Sequence, residues 1–169
     1  MHRLIVRLSL FMAFAWTSAL AQADATMWNG AYAQVRANYV DVARDQAAWE
    51  TLWRTWVGAD PPRSLPVGSM GVAVFIGPRR TGGYDVEVLG IEQRDCLDVV
   101  KFVEHVPSQG AFITQAFTMP WTIALLPVSG RPIVFERQGA MADTRLLLPA
   151  SDGGRLMQMS EICSRDRRP

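Results

Sequence analysis

The clearest periodic pattern in this sequence is a stripe of large apolar side chains between residues 46 and 57. Its members recur every three or four residues, as on one face of an α-helix: Trp49, Leu52, Trp53, Trp56 and Val57. Asp45 precedes the stripe as an N-cap, and Gly58 follows it at the C′ position. The pattern predicts an amphipathic helix whose tryptophan face packs on a sheet; ligand stacking on these rings is the alternative.

After residue 70 the pattern becomes typical of β-strands. The run 72–76 is short and continuously apolar, as in a central strand covered on both faces. The run 84–91 alternates, and Gly90 predicts a bulge that keeps Ile91 inward. Further segments are predicted to be strands or a hairpin: 35–43, 97–106, part of 112–127, 133–135 and a hairpin within 146–162.

The order of these elements predicts an α+β fold. We expect a single N-terminal helix packed on a mostly antiparallel sheet or open barrel. The chain has 169 residues, of which 49% are hydrophobic, enough for one core. We therefore expect one domain over residues 24–163, followed by a disordered tail over 164–169.

The N-terminus has the three-part pattern of a secretory signal peptide. Arg3 and Arg7 precede an uncharged apolar run from Leu8 to Leu20, and small residues such as Ala23 follow. A membrane anchor is the alternative, but the run is short for a span. We expect residues 1–23 to be removed and the mature bacterial protein to be periplasmic or secreted, without a stable membrane anchor.

The charge of the chain argues against a nucleic-acid partner. The formal net charge is +1, and loss of Arg3 and Arg7 leaves 15 basic and 16 acidic residues, a net of −1. Nucleic-acid binders usually carry a basic excess, and those of single strands interleave it with aromatic residues. Neither feature is present, so we expect no nucleic-acid partner.

Residue patterns that would support catalysis are weak. His105 is the only histidine after residue 2, and with two cysteines it cannot complete a standard four-ligand zinc site. Several carboxylates resemble the solvated face of a sheet, with no pair singled out for acid–base work: Asp85, Glu87, Glu92 and Glu104. We expect no catalytic residue, no metal site and no cofactor, and hence no enzyme.

The two cysteines, Cys96 and Cys163, are also relevant to whether the protein is exported. Lone cysteine pairs in small exported domains often form a disulfide. Their separation in the sequence excludes a CxxC redox motif. A Cys96–Cys163 disulfide is predicted, with two separate buried thiols as the alternative.

Three short sequence motifs follow one another along the chain. They are Ala48-Trp49-Glu50-Thr51-Leu52-Trp53, Gly77-x-Arg79-x-Thr81-Gly82-Gly83-Tyr84 and Thr118-x-Pro120-Trp121. Together they resemble the PrcB C-terminal domain family, over about residues 38–137. The family's usual Tyr is replaced by Trp121, and the lipoprotein cysteine of some members is missing.

This resemblance implies an exported, non-catalytic accessory domain. In the founding member it is tied to the assembly or stability of a surface protease, so the implied partner is an exported protease or another envelope protein. A different function class, a small-molecule or glycan-binding envelope protein using aromatics near Tyr84 and Trp121, is the alternative. The motif residues also have structural explanations, such as a tight strand entry at Gly82-Gly83.

The loop 79–84, which leads from the apolar run 72–76 into the alternating run 84–91, is the candidate binding segment; a solvated hairpin tip is the alternative. Two arginines occupy a turn where folding is not expected to need them, and arginine and tyrosine are favoured at interface hot spots. A glycine pair fixes the path of the loop backbone. The predicted partner-binding residues are Arg79, Arg80, Thr81, Gly82, Gly83, Tyr84 and Trp121.

Overall fold

The computed structural model describes residues 27–139, 145–152, 154, 156–158 and 163. The predicted signal segment 1–23 and the predicted tail 164–169 lie outside the described residues. Among the described residues, no helix is both long and apolar enough to cross a membrane.

The described residues contain nine strands, one helix that ends in a π-turn, and one short 3-10 turn. In chain order they are β1 (Met27–Gly30), β2 (Tyr39–Ala43), α1 (Gln46–Leu52) with its π-turn (Trp53–Val57), β3 (Ser69–Phe75), β4 (Asp85–Arg94), β5 (Leu97–His105), β6 (Trp121–Pro127), β7 (Ile133–Arg137), β8 (Arg145–Leu147), the 3-10 turn (Ala150–Asp152) and β9 (Leu156–Gln158).

The strands form two sheets. The first has the order β1-β6-β3-β2 and is antiparallel throughout. The second has the order β4-β5-β7-β8-β9 and contains one parallel pair, β5 with β7. That pair is parallel because the chain crosses to the first sheet through β6 before it returns. The fold is therefore α+β and mostly antiparallel, as predicted, but it is built on two open sheets.

A shared apolar core joins the two sheets. Alternate residues of each strand point into it, as the period of two for strands requires. From the first sheet come Met70, Val72 and Val74, and from the second Val100 and Phe102, all buried. The predicted bulge lies between Val88 and Gly90, and Ile91 packs against this core.

The helix covers the other face of the first sheet. Trp49, Leu52 and Trp53 are buried there, which confirms the predicted packing of the stripe. The Trp53 ring centroid lies 5.6 Å from those of Trp28, Trp49 and Trp121. These four tryptophans form one cluster between helix and sheet. Their rings therefore pack against each other inside the fold.

The ends of the helix match their sequence signals. The Asp45 carboxylate accepts a hydrogen bond from the Ala48 N–H at 2.8 Å, and Gly58 adopts a left-handed φ of 79°. The last turn differs from the prediction, because Gly58 N–H donates to the Trp53 carbonyl five residues back. This π-turn leaves Trp56 and Val57 only half-buried.

The first predicted strand is partly wrong. Residues 35–38 are irregular, and β2 begins at Tyr39. Its inward residues are Val40 and Val42, while Tyr39 stacks on Trp56 with ring centroids 4.4 Å apart. The alternation from Val35 to Tyr39 therefore reflects loop packing rather than pairing with β3.

The disulfide predicted from the cysteine pair is present in the structure. Cys96 and Cys163 are joined with a Cα–Cα distance of 5.7 Å. Cys163 packs with Leu97, Val99 and Leu148 against the outer face of the second sheet. The bridge thus fastens a C-terminal position to the turn that precedes β5. The predicted hairpin is also present as β8 and β9.

Candidate functional site

Two loops meet at one end of the sandwich. The first, 78–84, leads from β3 into β4, and the second, 106–118, leads from β5 into β6. We name the surface that they form together the two-loop surface. Each loop follows a strand of a different sheet, so their meeting closes one end of the core.

Backbone hydrogen bonds fix the two loops to each other. Arg79 N–H donates to the Thr118 carbonyl at 2.7 Å, and Thr118 N–H returns a bond to Arg79 at 3.0 Å. Gly82 N–H donates to the Thr114 carbonyl at 2.8 Å. The Thr118 hydroxyl donates to the Thr81 carbonyl at 2.9 Å. The loops are therefore held together as one unit, and neither is a hairpin tip, because each connects strands of different sheets.

Gly83 explains why the glycine pair stands at this strand entry. Its φ of 82° is in the left-handed region, which residues other than glycine adopt only with backbone strain. A Cβ there would also meet Ile113 and Pro107 of the second loop at 3.0 Å. The predicted tight strand entry is confirmed for Gly83, and the close approach of the loops depends on it.

Arg79 has a structural task, which corrects the expectation that folding does not need it. Its Nε lies 2.7 Å from Glu104 Oε1, and its guanidinium also donates to the Ile76 carbonyl. The Glu104 side chain is only 4% exposed and is paired with Arg137 as well, at 2.8 Å. A buried carboxylate needs such partners, because its desolvation is costly.

Arg80 and Tyr84 differ from Arg79 in their surroundings. Arg80 is exposed, whereas Thr81 is half-buried. Tyr84 packs its ring against the core between the sheets, with the Arg79 guanidinium 5.7 Å from the ring centroid. Of the two predicted arginines, Arg80 is thus the one that presents a charge to solvent.

Trp121 does not belong to this surface. It is 6% exposed, lies in the tryptophan cluster under the helix, and donates its Nε1–H to the Tyr32 carbonyl at 2.9 Å. Tyr84 lies in the core on the opposite side of the first sheet. The two rings therefore lie on opposite sides of the first sheet and do not form the joint aromatic site of the small-molecule or glycan-binding alternative.

Apolar side chains that sequence reasoning missed project from the second loop. Phe112 is 108% exposed, Phe117 is 68% exposed and Val106 is 64% exposed. Each is next in sequence to a residue that faces the first loop: Pro107, Ile113 and Thr118. The available signal was two phenylalanines in a stretch rich in Gly, Ser, Thr and Gln, without the alternation of a strand.

Several titratable side chains form pairs on the exposed surface of the second sheet. His105 Nε2 lies 3.1 Å from Glu87 Oε2, both being exposed. Hydrogen bonds from Arg94 and Lys101 lower the pKa of Glu92 to about 2. Glu104 is the exception to the expected solvated carboxylates, because it is buried. In the described part of the chain, no three potential ligands cluster as a metal site would require.

Comparison with known families bears on the segment that contains both loops. Residues 70–127 match the family model described as PrcB C-terminal. The match confirms the resemblance seen in the sequence, over a shorter range than 38–137. No curated protein and no solved structure shows a significant match to the chain.

The PrcB C-terminal match begins in β3 and ends with β6. It therefore contains the two-loop surface, the Arg79–Glu104 pair and the exposed phenylalanines. The tryptophan-rich helix and the disulfide partner Cys163 lie outside it. The PrcB C-terminal segment thus supplies the candidate surface, while flanking segments cover the outer faces of its strands.

Proposed function

We propose that this protein is an exported, non-catalytic protein-binding module, of the kind that serves as an accessory or stability subunit of a protease complex. The observation that carries this proposal is the exposure of Phe112, Phe117 and Val106 on a braced pair of loops. Single exposed apolar residues are common, but three large ones on one loop of 13 residues, 106–118, are the kind of exposed apolar surface that marks interaction sites.

The energetics favour burial of these side chains in a complex. Burial of a phenylalanine side chain contributes roughly 1.5–3 kcal/mol of favourable free energy. The isolated chain does not gain this free energy at Phe112, because that side chain is exposed. The hydrogen bonds between the loops reduce the ordering cost of binding, because the side chains are already held on a fixed backbone. A surface of this kind can bind tightly with few contacts.

A protein partner fits the surface better than a membrane. Attachment to anionic lipid takes clusters of about four to eight basic residues. The two loops contain two, Arg79 and Arg80, and Arg79 is already paired with Glu104. Apolar anchors with one free arginine are instead typical of hot spots between proteins.

The family match supports the choice of partner class. The surface lies within the PrcB C-terminal segment, and that resemblance implies an exported protease or another envelope protein as partner. We infer that the module stabilises this partner by covering an apolar patch on it. The role is one of binding, and no residue of the surface is asked to perform chemistry.

Co-purification from the cell envelope of the native host tests the proposal. Three tagged chains are compared: wild type, the double variant Phe112→Ser with Phe117→Ser, and Val67→Ser. Val67 is an equally exposed apolar residue outside both loops, so its variant is the matched control.

The expected result is one exported protein that is recovered in near-equal amount with wild type and Val67→Ser and is lost with the double variant. Mass spectrometry then decides whether it is a protease. Equal recovery with all three chains, or no recovered protein, would contradict the proposal.

A further inference from the structure

A groove lies beside the end of the helix, on residues that are not part of the two-loop surface. It is lined by residues 34–39 and by Trp56, and its cavity volume is about 360 Å³. Small-molecule sites begin at about 300 Å³, so the groove has room for a ligand of sugar size. We name it the Trp56 groove.

The walls of the Trp56 groove are fixed by the fold. Gln34 N–H donates to the Trp56 carbonyl at 2.7 Å, which ties the loop to the helix end. On the other side, a Cβ at Gly77 would come within 2.9 Å of the Ala37 backbone, so this glycine lets the segment that follows β3 approach the loop closely. The groove is therefore preformed, and a ligand would not need to open it.

The floor of the groove is aromatic. The Trp56 ring centroid lies 4.4 Å from that of Tyr39, and Tyr39 rests on Phe75 at 5.8 Å. Burial and the neighbouring Asp41 carboxylate raise the pKa of Tyr39 above its usual range, so its hydroxyl stays protonated and donates to Asp41 at 3.0 Å. The hydroxyl is thus occupied, and the rings offer faces and edges rather than charge.

The rim of the groove is polar. Gln34, Arg36 and Asn38 line it and are exposed. Amide groups both donate and accept hydrogen bonds, and so do sugar hydroxyls. A pyranose ring combines such hydroxyls at its edge with apolar C–H groups on its face. An aromatic floor with an amide rim therefore matches the chemistry of a saccharide.

Arg36 selects the charge of the ligand. Within the described part of the chain it forms no ion pair or hydrogen bond, and no acidic residue lines the groove. A guanidinium in this position is free to pair with a carboxylate in two parallel hydrogen bonds. We propose that the Trp56 groove binds a saccharide that carries a carboxylate, such as a uronic acid unit, independently of the two-loop surface.

The π-turn of the helix gives the groove its aromatic residue. A regular α-helix would keep Trp56 in register with the buried Trp49 and Trp53 stripe. The extra residue in the Trp53–Val57 turn leaves Trp56 half-buried and stacked on Tyr39. Single π-turns recur at functional sites in helices, which agrees with a binding role here.

The test uses two defined trisaccharides, trigalacturonic acid and the neutral maltotriose. Binding to the full chain is followed by tryptophan fluorescence and by saturation-transfer NMR. The variants are Arg36→Gln, Trp56→Leu and the control Arg44→Gln, which changes another exposed arginine just after β2. Trp56→Phe is the substitute if Trp56→Leu does not fold, because it keeps a ring of smaller area.

We expect saturable binding of trigalacturonic acid that Arg36→Gln weakens about fivefold, the effect of one exposed ion pair. Maltotriose should bind more weakly and be indifferent to Arg36→Gln. Trp56→Leu should abolish binding of both sugars, Trp56→Phe should weaken it, and Arg44→Gln should leave it unchanged. Equal affinity for the two sugars, indifference of trigalacturonic acid to Arg36→Gln, or no saturable binding at millimolar concentration would overturn the proposal.

Discussion

Single residues decide how closely the layers of this protein approach. Gly71 faces the helix, and the Trp49 ring occupies the space that a side chain would take. Gly30 plays the same part for Trp121, whose Nε1 would lie 2.7 Å from an added Cβ. In both places a large ring packs flat on a strand only because the strand residue has no side chain.

Replacement of Gly71 by alanine should therefore be costly. The new Cβ would lie 2.4 Å from Trp49 Cζ3, and overpacking of this kind costs about 1–3 kcal/mol of unfolding free energy. Gly130→Ala is the matched control, since nothing lies within 4 Å of its Cβ position. Urea titrations should give a lower midpoint for Gly71→Ala alone; equal midpoints would show that the ring can shift.

Substitution of the two neighbouring arginines of the first loop should have different effects on stability in the same assay. Arg79→Ala removes one partner of the buried Glu104 carboxylate and should lower the free energy of unfolding by about 1–3 kcal/mol. Arg80→Ala changes an exposed side chain and should stay within about 0.5 kcal/mol of wild type. If both variants matched wild type in chemical denaturation, the Arg79–Glu104 pair would be dispensable.

At the scale of elements, the helix was predictable because its signals are local. Asp45, the apolar stripe and Gly58 all lie within fifteen residues, and each acts through its neighbours in the chain. The π-turn was not predictable from the stripe, which fits a regular α-helix equally well. It accompanies a contact from outside the helix, the bond from Gln34 to the Trp56 carbonyl.

The helix face supplies the prediction at this scale. Trp53→Ala should lower the free energy of unfolding by about 3–5 kcal/mol, because it empties a buried tryptophan site between helix and sheet. Thr55→Ala, on the exposed side of the same turn, is the control. A denaturation midpoint that Trp53→Ala leaves unchanged would mean that the stripe does not anchor the helix.

At the scale of the whole molecule, the alternation of apolar and polar residues along each strand indicated which side chains are buried. It did not indicate to which of the two sheets each strand belongs. Residues 121–127 read as a strand in either sheet, and their pairing with β1 and β3 is a long-range choice. The candidate site could not be predicted fully for the same reason, because its contacts join residues that are far apart in the sequence. Arg79 looked free because its partner Glu104 is 25 residues away, and Trp121 looked available because its burial depends on the helix.

The disulfide ties the last described residue to the second sheet and carries a prediction for the whole chain. It closes a sequence separation of 67 residues, for which chain-entropy models give about 4 kcal/mol. The double variant Cys96→Ser with Cys163→Ser should lose stability of that order in denaturant titrations. A non-reducing tryptic map of the wild-type protein should join the two cysteine peptides; full alkylation of both thiols would refute the bridge.

The central claim of this account is that the two-loop surface binds a protein partner. Site-specific photo-crosslinking in the native host tests it most directly, with a benzophenone amino acid placed at position 112 or 117, and at 51 or 67 as exposed controls outside the loops. The account predicts that positions 112 and 117 capture the same exported protein and that 51 and 67 capture none. Equal capture at the control positions, or no adduct at 112 and 117, would contradict it.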